Sequence, residues 1–159
     1  MRILLLFFLL AAIPVRAETL AGVVIVVIDG DTLLFRPDHY APASRAFLKV
    51  RLAGIDAPES SQPHGDAATQ SLKALALRRR GEIEIVATDV YGRKLGVLEV
   101  DGLQVNAELV RRGDAWASTR GRRDALHGLQ DAARAAGRGL WADPEPMPPS
   151  QWRHAHIQN

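Results

Sequence analysis

The sequence predicts a mainly β chain with added helices (α+β): a small, partly open Greek-key barrel of five strands carrying three helices. Three observations carry that expectation. Five short segments alternate or run β-branched at strand length, each bounded by Asp, Gly or Pro. One amphipathic helical stretch is interposed before the fourth strand, and two more follow the fifth. A single antiparallel sheet with its helices on one face fits the same order less well, and periodicity alone does not choose between them.

Residues 20–28 are a β-branched run that reads as a buried strand. Asp29-Gly30 is a hairpin signal, and residues 32–35 return as the second strand. Pro37 and Pro42 mark residues 36–44 as an exposed loop. In the third strand, residues 47–52, alternation turns Leu48, Val50 and Leu52 to one face and Phe47, Lys49 and Arg51 to the other. Arg51 is thereby free to meet a ligand. Gly54 permits a bend, and Pro58 biases Ala57 toward an extended conformation. Residues 59–65 are polar and aperiodic and read as a mobile loop. Asp66 can cap a helix reaching about Arg80, with Ala68, Leu72, Leu75 and Ala76 as its apolar stripe and Gly81 as its stop. Residues 82–87 alternate around Ile83 and Ile85 as the fourth strand. Asp89-Val90-Tyr91-Gly92-Arg93 turns the chain into the fifth, residues 94–100, which ends at the Asp101-Gly102 turn. Residues 105–112 read as a short helix stopped by Gly113, and residues 122–136 as a third helix with Leu126, Leu129, Ala133 and Ala136 on its apolar side. Residues 143–159 are proline-rich and polar, a tail that runs along the surface or is loose.

Residues 1–17 stand apart from this fold. Met1-Arg2 is a basic start, residues 3–13 are an uninterrupted apolar run, and Val15-Arg16-Ala17 offers small residues for cleavage. The pattern reads as a secretory signal peptide cut after Ala17, too short to span a bilayer comfortably. The expectation is a secreted or periplasmic protein, detached from the membrane after cleavage, with one domain over residues 18–142. Removing 17 residues from 159 leaves 142, enough to bury about two thirds of the unfolded surface without staples. There is no cysteine, which excludes disulfides, thiolate zinc sites and cysteine nucleophiles. Arg2 and Arg16 are two of the 20 bases, so the remainder carries 18 bases against 18 acids. Bulk charge therefore gives no argument for nucleic-acid binding. Of the 20 bases 17 are arginine, the residue suited to bidentate phosphate contacts, although a GC-rich genome gives the same bias.

Three clusters remain: Asp29-Gly30-Asp31-Thr32; Arg51 followed by Asp56-Ala57-Pro58-Glu59; and Asp89-Val90-Tyr91-Gly92-Arg93. Each alone is explained by turn chemistry, since Asp, Gly and Pro are what such turns need. Together they offer carboxylates and guanidiniums, groups that bind hard metal ions and phosphates. In this order, through Gly139-Leu140-Trp141, the chain closely resembles the staphylococcal nuclease (thermonuclease) family over essentially all of residues 18–142.

That resemblance implies an OB-fold barrel and a calcium-dependent phosphodiesterase that cleaves DNA and RNA and leaves 3′-phosphate ends. It implies Asp31, Asp56 and the Ala57 carbonyl as Ca2+ ligands, Arg51, Glu59 and Arg93 as the catalytic trio, and Tyr91 beside a terminal phosphate. The family's best-known member has threonine where this chain has Ala57; a backbone ligand tolerates the change. Oxygen-only ligands favour calcium, magnesium or manganese over zinc. After Gly113, where the family usually offers an aromatic for base stacking, this chain reads Asp114-Ala115-Trp116, and Trp116 reads more simply as core.

His39, His64, His127, His154 and His156 show no convincing metal spacing, and the last two read as tail solvation. Arg78-Arg79-Arg80 and the arginines within 120–123 could lengthen a phosphate track, but solvated helix ends account for them equally. The leading expectation is an exported, monomeric nuclease. A non-catalytic nucleic-acid-binding OB-fold module is the alternative, and decay of that kind would remove a carboxylate or arginine that this chain retains. A purely structural domain leaves the clustering of Asp31, Asp56 and Arg51 unexplained.

Overall fold

The computed structural model describes residues 18–41, 43–118 and 125–156. The predicted signal peptide, Pro42 and the 120–123 arginines lie outside the described residues. Five strands form a closed barrel: β1 (Glu18–Val27), β2 (Thr32–Pro37), β3 (Leu48–Leu52), β5 (Arg80–Thr88) and β6 (Lys94–Val100). Strand β1 pairs antiparallel with β2 and β5, β2 with β3, and β5 with β6; a parallel pairing of β3 with β6 closes the ring. Short strands β4 (Ile55–Asp56) and β8 (Trp116–Ala117) pair outside it, and β7 (Leu103–Gln104) folds back antiparallel on the end of β6. The single-sheet alternative is thereby excluded, and the α+β OB-fold barrel is the architecture.

The barrel interior is filled by Val24, Leu33, Phe35, Val50, Ile83 and Leu98, all fully buried. Helix α1 (Gly65–Ala76) adds Ala68, Leu72 and Leu75, and α2 (Val105–Arg112) adds Val105, Leu109 and Val110. Each large aliphatic side chain sealed in this way is worth about 1.5–3 kcal/mol. The parallel closure demands a close approach at Gly96, where a Cβ would lie 2.7 Å from Ile83 Cγ2 and 3.2 Å from Val50 Cγ1. Buried Asn106 secures it: Leu98 N donates to Asn106 Oδ1 (3.0 Å), and Asn106 Nδ2 donates to Ala53 O (2.8 Å) and Gly96 O (3.1 Å).

Four expectations change. The β1 run is half-buried rather than enclosed: a bulge between Val24 and Val26 breaks its register, and Val26 and Ile28 are exposed. Helix α1 ends at Ala76, not near Arg80, because β1 captures the chain there. Arg78 N donates to Val24 O (2.8 Å) and Val24 N to Arg79 O (3.1 Å), so Gly81 lies inside β5 instead of stopping a helix. Asp66 is not the cap either; His64 holds that position in a left-handed conformation, and Asp66 sits in the first turn, where a carboxylate favours the helix dipole. Finally there are four helices among the described residues rather than three. After α3 (Ala125–Ala135) and a 3-10 turn (Gly139–Ala142), the expected loose tail contains α4 (Pro149–His156), begun by proline at its first helical position.

Asn106→Ala would leave Leu98 N and Gly96 O without that partner at the closure. A loss of roughly 2–4 kcal/mol in urea unfolding is expected. A loss under 0.5 kcal/mol would mean that the closure does not depend on this side chain.

Candidate active site

The Asp29-Gly30-Asp31-Thr32 corner joins β1 to β2. Asp29 Oδ1 accepts from Asp31 N (3.0 Å), turning Asp31 inward, where it is 3% exposed. Asp31 is enclosed by donors: Thr32 Oγ1 (2.9 Å) and Arg51 Nη1 (2.7 Å) donate to Oδ1, and Ala57 N (3.0 Å) donates to Oδ2. Even so, burial pushes its carboxyl up to about 6, helped by Asp29 and opposed chiefly by Arg51.

Arg51 leaves β3 on the face that alternation assigns to it. Its other arm, Nη2, donates to Asp56 Oδ1 (2.6 Å). One planar guanidinium therefore joins carboxylates 25 residues apart in sequence, Asp31 and Asp56. Burial works against the Arg51 charge, and Asp31 and Asp56 more than offset it, so its pKa is raised. Asp56 is fixed by the β4–β8 pairing, opposite Trp116.

Beyond Pro58 the chain winds back on itself rather than looping freely. Gln62 N donates to Glu59 O (2.8 Å), Gly65 N to Gln62 O (2.9 Å), and a Cβ on Gly65 would lie 2.0 Å from Glu59 O. This winding carries Glu59 to the rim of a cleft of about 680 Å³. Asp31, Arg51, Ala57, Glu59, Tyr91 and Arg93 all line it; Asp56 is joined to it through Arg51 and lines an adjoining groove. Arg93 is less tightly gathered than the others, because its Nε donates to Asp89 Oδ2 (2.7 Å) within its own turn. Although desolvation opposes it, Arg93 and the turn's backbone donors hold the Asp89 carboxyl below its usual range. Tyr91 is 81% exposed at the turn's tip, its ring 5.5 Å from the Arg93 guanidinium.

Sequence reasoning missed Arg153, on α4, which also lines the cleft. Its Nη1 donates to Glu59 Oε1 (2.5 Å) and its Nη2 to Asp56 Oδ2 (3.3 Å). Proline at the first turn of α4 was the available signal. Trp116 packs edge-on against Trp141, ring centroids 5.4 Å apart, in a small core with Leu140 and Ala133. Arg79 and Arg80 pair with Asp101 and Asp38 on the surface, and His154 and His156 bond to carbonyls within α4.

The charge count is informative. Asp29, Asp31, Asp56, Glu59 and Asp89 face Arg51, Arg93 and Arg153, five carboxylates against three guanidiniums. Fully ionised, the cleft and the adjoining groove together carry a net −2, unsuited to a polyanion unless a cation is added. Among the described residues no three His, Cys, Asp or Glu side chains cluster as a ready-made metal cage. Asp31 and Asp56 nonetheless offer carboxylate oxygens of the kind that hard divalent ions take.

Residues 49–143 match the family described as Staphylococcal nuclease homologue. Over 143 residues the chain is 39% identical to a protein of Escherichia coli O157:H7 named an uncharacterized endonuclease, covering 89% of this chain and 90% of that protein. It is 36% identical over 152 residues to a Haemophilus influenzae protein of the same name (95% and 82% covered). It is also 36% identical over 159 residues to the micrococcal nuclease of Shigella flexneri (92% and 87% covered).

Asp31 supplies a pH test. Its folded pKa lies above its ordinary value of 3.8, so its ionisation detracts from stability as pH rises from about 4 through about 6. With chelator present, wild type should lose stability relative to Asp31→Asn over that interval, by on the order of 2 kcal/mol. Parallel stability curves from pH 4 to 7 would show that Asp31 ionises without cost.

Proposed function

The chain belongs to the staphylococcal nuclease homologue family, and from that premise we propose that it is an exported nuclease hydrolysing phosphodiester bonds of DNA and RNA in a calcium-dependent manner. The observation that carries the proposal is the fork of Arg51 between Asp31 and Asp56 at a cleft that also presents Glu59 and Arg93. The leader pattern of residues 1–17 supports export. Among the described residues no helix is long and apolar enough to cross a membrane.

In the proposed reaction Glu59 accepts a proton from a water whose oxygen bonds to phosphorus. The bond from phosphorus to the 5′ oxygen breaks, the leaving oxygen takes a proton from solvent, and the phosphate stays on the 3′ side. Arg51 and Arg93 donate to the phosphoryl oxygens as negative charge builds there. A divalent cation at Asp31, Asp56 and the Ala57 carbonyl would supply Lewis acidity and offset the net −2 of the cleft and its adjoining groove. Tyr91 gives the phosphate end of the substrate an aromatic neighbour. Contacts of these kinds address phosphate, so sequence preference is slight.

Digestion of denatured DNA and of RNA with Ca2+, with chelator, and with Glu59→Gln tests the proposal. Cutting should require the ion, and Glu59→Gln should lower kcat by about 10²–10⁴. Binding without ion-dependent cutting would instead identify a non-catalytic nucleic-acid-binding module. Arg93→Ala should reduce kcat by about 10²–10³ and nucleotide affinity much less. Equal losses in both would reduce Arg93 to a binding residue.

A further inference from the structure

Resting on the nuclease reading and deepening it, we infer that Arg153 and Gln62 are positioning residues for Glu59, which makes the C-terminal helix α4 a working part of the site. Both residues hold Glu59, one by its backbone and the other by its carboxylate. Gln62 is 6% exposed, and its amide is used at both ends: Oε1 accepts from Glu59 N (3.1 Å), and Nε2 donates to Met147 O (2.6 Å). The turn that bears Glu59 is thereby tied to the segment leading into α4, whose first residue, Pro149, is buried. From α4, Arg153 reaches back with one guanidinium nitrogen on Glu59 Oε1 and the other on Asp56 Oδ2.

A rigid planar fork across two carboxylates fixes the interval between them. Here the interval runs from a proposed cation ligand to the proposed base. Glu59 Oε2 accepts no hydrogen bond among the described residues, so the carboxylate keeps an oxygen to receive a proton while Oε1 is held. This favours positioning over blockade. Residues 147–153 lie beyond the stretch matched to the family, 49–143.

The test compares kcat, KM and melting temperature for wild type, Arg153→Ala, Arg153→Lys, Glu59→Gln and the double variant Arg153→Ala/Glu59→Gln. The substrate is a single-stranded DNA oligonucleotide with Ca2+. Arg153→Ala should lower kcat by about tenfold to a hundredfold with KM within about twofold, and Arg153→Lys should recover part of the loss. In the Glu59→Gln background, Arg153→Ala should produce no further loss, because Arg153 acts through Glu59. The same fold-loss in both backgrounds would show a merely structural role. A kcat unchanged or raised in Arg153→Ala would show an idle contact or a latch, and a loss confined to KM would show phosphate binding; each overturns the inference. Should Arg153→Ala not melt cooperatively, Gln62→Glu carries the same comparison, since it keeps the acceptor for Glu59 N and removes the donor to Met147 O. If wild type does not cut, or if Glu59→Gln cuts at the wild-type rate, the nuclease reading itself fails and this inference falls with it.

Discussion

An unbroken alternation of charge runs through the site: Asp31, Arg51, Asp56, Arg153, Glu59. Its inner end is the reason for it. A carboxylate as enclosed as Asp31 is costly to ionise unless cationic and N–H donors surround it. Arg51 meets that need with one arm, and its other arm draws in Asp56. Asp56 in turn gives Arg153 a second anchor beside Glu59. Each group is held by the next, so the site is set by one buried acid and passed outward to a half-exposed one.

The barrel exists, from the site's point of view, to let Arg51 stand where it does. Its strand, β3, is fixed on one side by antiparallel pairing with β2 and on the other by parallel pairing with β6. The first pairing sets Thr32 opposite Arg51, which brings the Asp31 corner within reach. The second brings Gly96 opposite Leu52, and Asn106 binds Gly96 O and Ala53 O together. The corner that leads to Asp56 therefore departs from a point tied to the barrel's seam. A displacement at that seam would move Arg51 and Asp56 together relative to Asp31.

Much of this was legible in the chain because its cause is local. Alternation placed Arg51 opposite Val50, Gly113 ended α2 in its left-handed cap, and the Asp-Gly and Pro-bearing corners declared themselves by turn chemistry. What escaped depends on partners distant in sequence. The end of α1 is decided by Val24 of β1 rather than by Gly81. Gln62 lies in a polar stretch without period, and its importance comes from Met147, 85 residues away. Helix α4 has only eight residues within a proline-rich segment, a composition that by itself describes a tail. Propensity does not foresee a short helix that exists because Pro149 is buried and Arg153 is paired.

The two proposed catalytic arginines are not equivalent in what they can still offer a phosphate. A guanidinium has five N–H donors. Arg51 directs one to Asp31, one to Asp56 and one, at 3.5 Å, to Ile55 O, leaving two. The Arg93 guanidinium hydrogen-bonds only through Nε among the described residues, which leaves four donors on its two terminal nitrogens. Arg51 is therefore first an organiser of carboxylates, with fewer donors to spare for the proposed phosphate. Arg93, whose guanidinium is bonded through a single nitrogen, is the arginine with more donors to spare for the proposed phosphoryl group. The fold holds the first by burial and two carboxylates, and anchors the second at the foot of its turn by Asp89 alone among the described residues, with both terminal nitrogens left over.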